Sequence, residues 1–171
     1  MRQTLLATTL LLLCVCTAAR ADHSYPRTFE GYIEFCATES GFLGSETLPD
    51  GTRIDRFFNN GNLYRTGNPL IDGYEENEAT ATFPPDSMEF TIDIRATVDV
   101  DSVDGVWRVR QKVIVGPDGA RGGGIGFGTG DLRGKLFIFI GAAVEEGIET
   151  SCGVPAGVPI RGRIFTFGWR L

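Results

Sequence analysis

Few residues in this chain have types and spacings that suit chemistry. Glu30 and Glu34 share one face of a strand, as paired carboxylates do in acid–base catalysis. Glu75, Glu76 and Glu78 form a second acidic group. Both groups read more simply as solvated strand faces. Asp99, Asp101 and Asp104 surround Ser102 in the manner of a calcium loop, but an EF-hand needs flanking helices and a Glu at its twelfth position, where Arg110 stands. That stretch reads as a hairpin turn. His23 is the only histidine, which removes the usual zinc ligand sets and leaves a Ser-His-Asp triad without a well-placed base.

The glycine-rich stretch 122–134 holds seven glycines and invites a phosphate-loop reading. A P-loop needs Gly, four residues, then Gly-Lys-Ser/Thr at the start of a helix. Thr129 stands where the first glycine belongs, Leu136 replaces the hydroxyl residue, and an apolar strand pattern follows. The dinucleotide fingerprint fails as well, because Thr129 occupies its third glycine position. The sequence therefore implies no cofactor and no metal site, and it assigns no catalytic residue.

Cys36 and Cys152 are the cysteines that remain once residues 1–21 are set aside, and a disulfide between them is the leading expectation. The rival is a reactive Cys36 thiolate, which would need a basic neighbour, whereas Glu34 and Glu39 are the charged residues nearby. Residues 1–21 have one early positive charge, an apolar core and Ala19-Arg20-Ala21 at a cleavage site, the pattern of a secretory signal peptide. Leu11 to Leu13 precede Cys14, which argues against a lipoprotein site. Residues 22–27 read as a flexible leader and 28–171 as one domain.

Net charge is -6 over the whole sequence, and it becomes more negative without Arg2 and Arg20. An acidic surface argues against nucleic acid, which is bound through clustered Lys and Arg. No later stretch reaches the ~18 apolar residues of a membrane helix, so no membrane span is expected.

The elements that would position any site are strands. Met88 to Val100 alternates strictly, with Phe90, Ile92, Ile94, Ala96, Val98 and Val100 on one face. Val106 to Val115 sets Trp107, Val109, Val113 and Val115 against Arg108, Arg110 and Lys112. Asn59-Asn60-Gly61-Asn62 reads as a hairpin turn between short strands at 54–58 and 63–65, and 71–83 as a weaker strand interrupted by acids. The last strand, from Ile160, puts Phe165, Phe167, Trp169 and Leu171 on one face. Short strands with regular turn signals predict an all-β fold, a single antiparallel barrel of about eight strands, with a β-sandwich as the alternative. Such a barrel has its interior filled by side chains or holds one small ligand. The expected cavity lining is Phe90, Ile92, Ile94, Trp107, Val109, Phe165 and Phe167. Leu136 to Ile140 is apolar on both faces, and Ile160 and Ile164 oppose the Phe165 face, so both faces of these strands are expected to be covered. A loop, the leader or a second subunit could do that, which makes a homo-oligomer a possible state.

Gly126 to Gly134, reading Gly-Phe-Gly-Thr-Gly-Asp-Leu-Arg-Gly and followed by an apolar strand, resembles the late hairpin of the allene oxide cyclase-like barrels. It is closer still to a group of uncharacterised secreted proteins of the same barrel type, in which His is common at the position of Phe127. Asn68 to Gly73 and Gly162 to Phe167 resemble the same group. The resemblance implies a barrel. The plant cyclases of that family isomerise an unsaturated fatty-acid epoxide without a cofactor and form trimers. Their catalytic residues lie in the half that does not align here, so none is carried over.

Two readings follow. One is a secreted, non-catalytic barrel that binds a small apolar ligand or serves a structural role. The alternative is a cofactor-independent isomerase or cyclase acting on an unsaturated fatty-acid derivative. A polar group deep in an open apolar cavity would favour the enzyme, and a filled interior would favour neither ligand nor catalysis.

Overall fold

The computed structural model describes residues 25–167. The expected signal segment, residues 22–24 of the leader with His23, and Trp169 and Leu171 lie outside the described residues. Ten strands run in sequence: β1 (Thr28–Glu34), β2 (Glu39–Thr47), β3 (Arg53–Arg65), β4 (Gly73–Phe83), β5 (Phe90–Val100), β6 (Val106–Gly116), β7 (Gly119–Gly128), β8 (Lys135–Gly141), β9 (Glu145–Glu146) and β10 (Ala156–Thr166). Eight of them close into an antiparallel barrel in the order β1–β10–β8–β7–β6–β5–β4–β3, with β3 returning to β1. Closure leaves no free margin in this ring, which is why a sequence of successive hairpins settles there. β2 pairs with the first part of β3, and β9 adds a short rung to β10.

β3 is the fork. Its residues Arg53 to Asn60 pair with β2, whereas Leu63 to Arg65 pair with β1. Asn59-Asn60-Gly61-Asn62 is thus not a turn but a bulge inside one 13-residue strand. Gly61 has φ +111°, and the backbone nitrogen of Thr38 would lie 2.7 Å from any Cβ added there. The same Asn-Gly signal serves a hairpin turn or a glycine bulge, because both need a positive φ. The bulge skips one residue, so Asn59 and Asn62 both stay over inward-facing partners, Asn77 and Glu75.

The barrel has a closed end and an open end. At the closed end Trp107 and Tyr64 have no exposed surface, and Phe137 is almost as deeply buried. Phe137 meets Trp107 edge-on at 4.8 Å and Phe29 at 5.8 Å. Burying an aromatic side chain of this kind contributes roughly 1.5–3 kcal/mol. The inward glycines of β7 make room for the rings. A Cβ on Gly126 would lie 2.2 Å from the Phe137 ring, and one on Gly124 would lie 2.5 Å from Phe139. These glycines admit neighbouring side chains.

Two segments cap this end. After β7 a 3-10 turn, Gly130–Leu132, pushes Leu132 into the core, while Asp131 N–H donates to the Asp104 carbonyl. Opposite it, the Trp107 Nε1–H donates to the Leu70 carbonyl at 2.6 Å. Asn68, itself buried, accepts from Leu70 N–H and donates to the Pro26 carbonyl. Asp72 accepts from Thr66 N–H, Thr66 Oγ1 and Gly67 N–H, which holds the loop in place.

At the open end Cys36 and Cys152 form a disulfide with Cα atoms 5.7 Å apart. It ties the exit of β1 to the loop before β10. Glu34, turned away from the interior, is covered by that loop and accepts hydrogen bonds from Ser151 N–H and Ser151 Oγ.

β10 runs opposite to expectation. Ile160 and Ile164 face the interior and are buried, whereas Phe165 and Phe167 face outward and are exposed. Pairing decides this. Gly162 stands opposite Phe29, whose ring fills the interior space within 2.3 Å of where a Cβ would be. The parity that contains Gly162 must therefore point inward, and it carries Ile160 and Ile164 with it. On β8, Phe137 and Phe139 point in, and Ile138 and Ile140 are about half exposed outside. Neither a loop nor any other described residue buries that outer face.

Candidate functional site

Between the aromatic plug and the open end the barrel is hollow. The hollow measures about 240 Å³. Its walls are mostly apolar: Ile33 from β1, Phe57 from β3, Ile92 and Ile94 from β5, Val113 and Val115 from β6, Phe139 from β8 and Val158 from β10. Small residues, Ala79 on β4 and Gly122 on β7, keep the centre empty. Val144, roughly half exposed, stands at the mouth.

The floor is polar. Glu75 on β4 is 2 % exposed and carries the only carboxyl group on the lining. Asn77 Nδ2 donates to Glu75 Oε1 at 2.6 Å, and Asn62 Nδ2 donates to the same oxygen at 3.3 Å. Gln111 Nε2 on β6 donates to Glu75 Oε2 at 3.0 Å and to Tyr64 Oη at 3.0 Å. Burial, and then the Glu75 charge beside it, push the Tyr64 phenol well above its ordinary pKa. It therefore stays protonated at neutral pH, with its hydroxyl engaged by Glu75. Each side chain owes its place to strand parity. Glu75, Asn77 and Ala79 alternate inward along β4, Tyr64 follows Asn62 by two residues on β3, and Gln111 shares the inward face of β6 with Val113.

One atom of the cluster is unmatched. Asn77 Oδ1 is fully buried and has no hydrogen-bond partner. The short bond from Asn77 Nδ2 to the carboxylate fixes the amide orientation and leaves Oδ1 as the unmatched atom. A buried acceptor without a donor costs roughly 1–3 kcal/mol.

No family model, no curated protein and no solved structure matches this chain.

The residues singled out from the sequence fall in different places. Ile92 and Ile94 line the hollow. Trp107 and Val109 are buried, with Trp107 in the plug beneath it. Phe90 stacks on Phe83 with ring centroids 4.6 Å apart, and it is not part of the lining. Phe165 and Phe167 stand on the outer surface, so they line no interior cavity. Glu30 is exposed, and Glu34 is engaged by Ser151. Cys36 and Cys152 lie close enough to Glu34 to resemble a ligand set, but both sulfurs are committed to the disulfide.

Glu75 departs from the solvated face expected for all three acids. Glu76 and Glu78 do face solvent, while Glu75 faces the interior. The parity of β4 carried the signal: Gly73, Glu75, Asn77, Ala79 and Ala81 share a face, and the small residues on it mark the inside.

A solvent-open groove of about 990 Å³ lies on the outer face of β3 to β7, where Arg95, Arg108 and Arg110 lie near Phe127. Asn77 is the one residue of the Glu75 cluster that borders both this groove and the hollow.

Proposed function

We propose that this protein is a secreted barrel that holds a small, largely apolar molecule in its open half. The single observation behind this reading is an apolar hollow closed below by an aromatic plug and open above. A 150 Å³ apolar cavity suffices for benzene. The hollow here suits a ring with a short chain, or an aliphatic chain of about eight carbons. It is smaller than the ~300–1,000 Å³ sites that take drug-sized ligands. An apolar fluorescent dye, displaced in competition by fatty acids and alcohols of graded length, tests the reading. Displacement should be strongest at six to ten carbons. Failure of every compound to bind would leave the structural role alone.

The second reading, a cofactor-independent isomerase or cyclase of the allene oxide cyclase type, draws support from Glu75. A carboxylate with amides and a phenol at the floor of an apolar hollow is the kind of group that could hold or move a proton on a bound substrate. The volume weighs against it, since the rest of a long-chain fatty-acid epoxide would have to extend through the mouth. Turnover of such an epoxide by folded protein, lost in Glu75→Gln, would support the enzyme. Inactivity of folded protein would remove it.

A homo-oligomer gains support from the exposed outer band of Phe127, Ile138, Ile140 and Phe165. Sedimentation at micromolar concentration showing only monomer would refute it.

A further inference from the structure

The head group that this hollow accepts is written in its polar floor. Glu75 is held by side-chain amides and a phenol and by no cation: none of the residues lining the hollow is Lys, Arg or His. A buried carboxylate without a positive partner is costly, and amide dipoles offset only part of that cost. Gln111 Nε2 already has both its hydrogens engaged, one on Glu75 and one on Tyr64. Beside the carboxylate, Asn77 Oδ1 is a buried acceptor in need of a donor. The floor therefore lacks two things, a positive charge and a hydrogen-bond donor.

A protonated primary amine supplies both. It carries +1 and three N–H donors on a compact head. A carboxylate ligand would bring a second negative charge against Glu75. An alcohol would supply the donor without the charge.

We infer that the hollow takes an amphiphilic amine, an ammonium group on an apolar body of about eight carbons, with its nitrogen on the polar floor beside Glu75 and Asn77 and its tail toward the mouth. This rests on reading the hollow as a ligand site. The tail meets Ile92, Ile94 and Val113, and the ammonium replaces the missing counter-charge inside a low-dielectric space where ion pairing is strong.

Three probes with one tail test this on the intact protein: octylamine, octan-1-ol and octanoate, titrated calorimetrically near neutral pH, where the amine is protonated. Octylamine should bind at least tenfold more tightly than octanol, and octanoate more weakly than both. In Glu75→Gln the amine should lose at least tenfold, with octanol changing less than about threefold. Equal binding of all three would overturn the amine and leave the apolar site standing. Binding of none would overturn both.

The acidic surface could attract an amine by itself, so the comparison is repeated at 0.5 M salt, which screens exposed charges over a few ångströms. A preference that survives supports the buried site, and one that vanishes overturns it. This arm needs no variant, so the inference remains testable if Glu75→Gln does not fold.

Discussion

Removing the Cys36–Cys152 disulfide should cost this barrel more than any other single change at its open end. The bond spans 116 residues. In the chain-entropy description a loop of that length restricts the unfolded state by about 4–5 kcal/mol. For a domain of this size each kcal/mol moves the melting temperature by about 2–4 °C, so a Cys36→Ala/Cys152→Ala protein should melt about 10–20 °C lower. The folded state should change little, because the Ser151 contacts to Glu34 still hold the loop against β1. Urea unfolding followed by circular dichroism separates the two contributions. The midpoint should fall, and the slope should rise because the uncrosslinked chain unfolds into a more expanded ensemble. A double variant with native circular dichroism and a melting temperature within about 4 °C of the parent would refute the reasoning.

Gly126→Ala places a methyl group 2.2 Å from the Phe137 ring and should destabilise by about 1–3 kcal/mol or more, measured by the same urea titration; Gly147→Ala, where no atom lies within 4 Å, tests only the cost of a positive φ. Alkaline pH should weaken the fold through Tyr64. Its folded pKa lies above the unfolded value near 10, so the folded state binds more protons above pH 10, and stability falls by up to about 1.4 kcal/mol per pH unit there. In Tyr64→Phe that slope should be shallower, and a parent slope identical to the variant's would contradict the assignment. Ile94→Trp should fill the hollow and abolish dye displacement while circular dichroism stays native.

Alternation made the barrel legible because nearly every strand buries one face only. On β5 and β6 the hydrophobic parity and the interior coincide from Val98 and Trp107 upward, with Gln111 the polar exception on the inward face. β10 is ambiguous for a physical reason: apolar side chains stand on both faces, Ile160 and Ile164 inside and Phe165 outside, where it lies beside Arg163. The deciding facts are the partners across the sheet, above all Phe29 over Gly162, and pairing is a long-range property that a local period does not contain. The Asn-Gly signal in β3 failed similarly, since a glycine at positive φ serves a bulge as well as a turn. The Glu75 cluster escaped notice because its members come from three strands and the run Glu75-Glu76-Asn77-Glu78 looks uniformly wet. Only the shared parity with Ala79 and Ala81 distinguishes the inward acid from the outward ones.

The barrel has one filled half and one hollow half, and isoleucine methyl resonances report on both. Ile33, Ile92 and Ile94 border the hollow, Ile160 and Ile164 pack in the closed core, and Ile138 and Ile140 face outward. Titration with octan-1-ol, followed by methyl NMR, should shift the first group strongly and leave the other two nearly still. Shifts confined to Ile138 and Ile140, or none in the first group at saturating alcohol, would contradict an accessible apolar hollow.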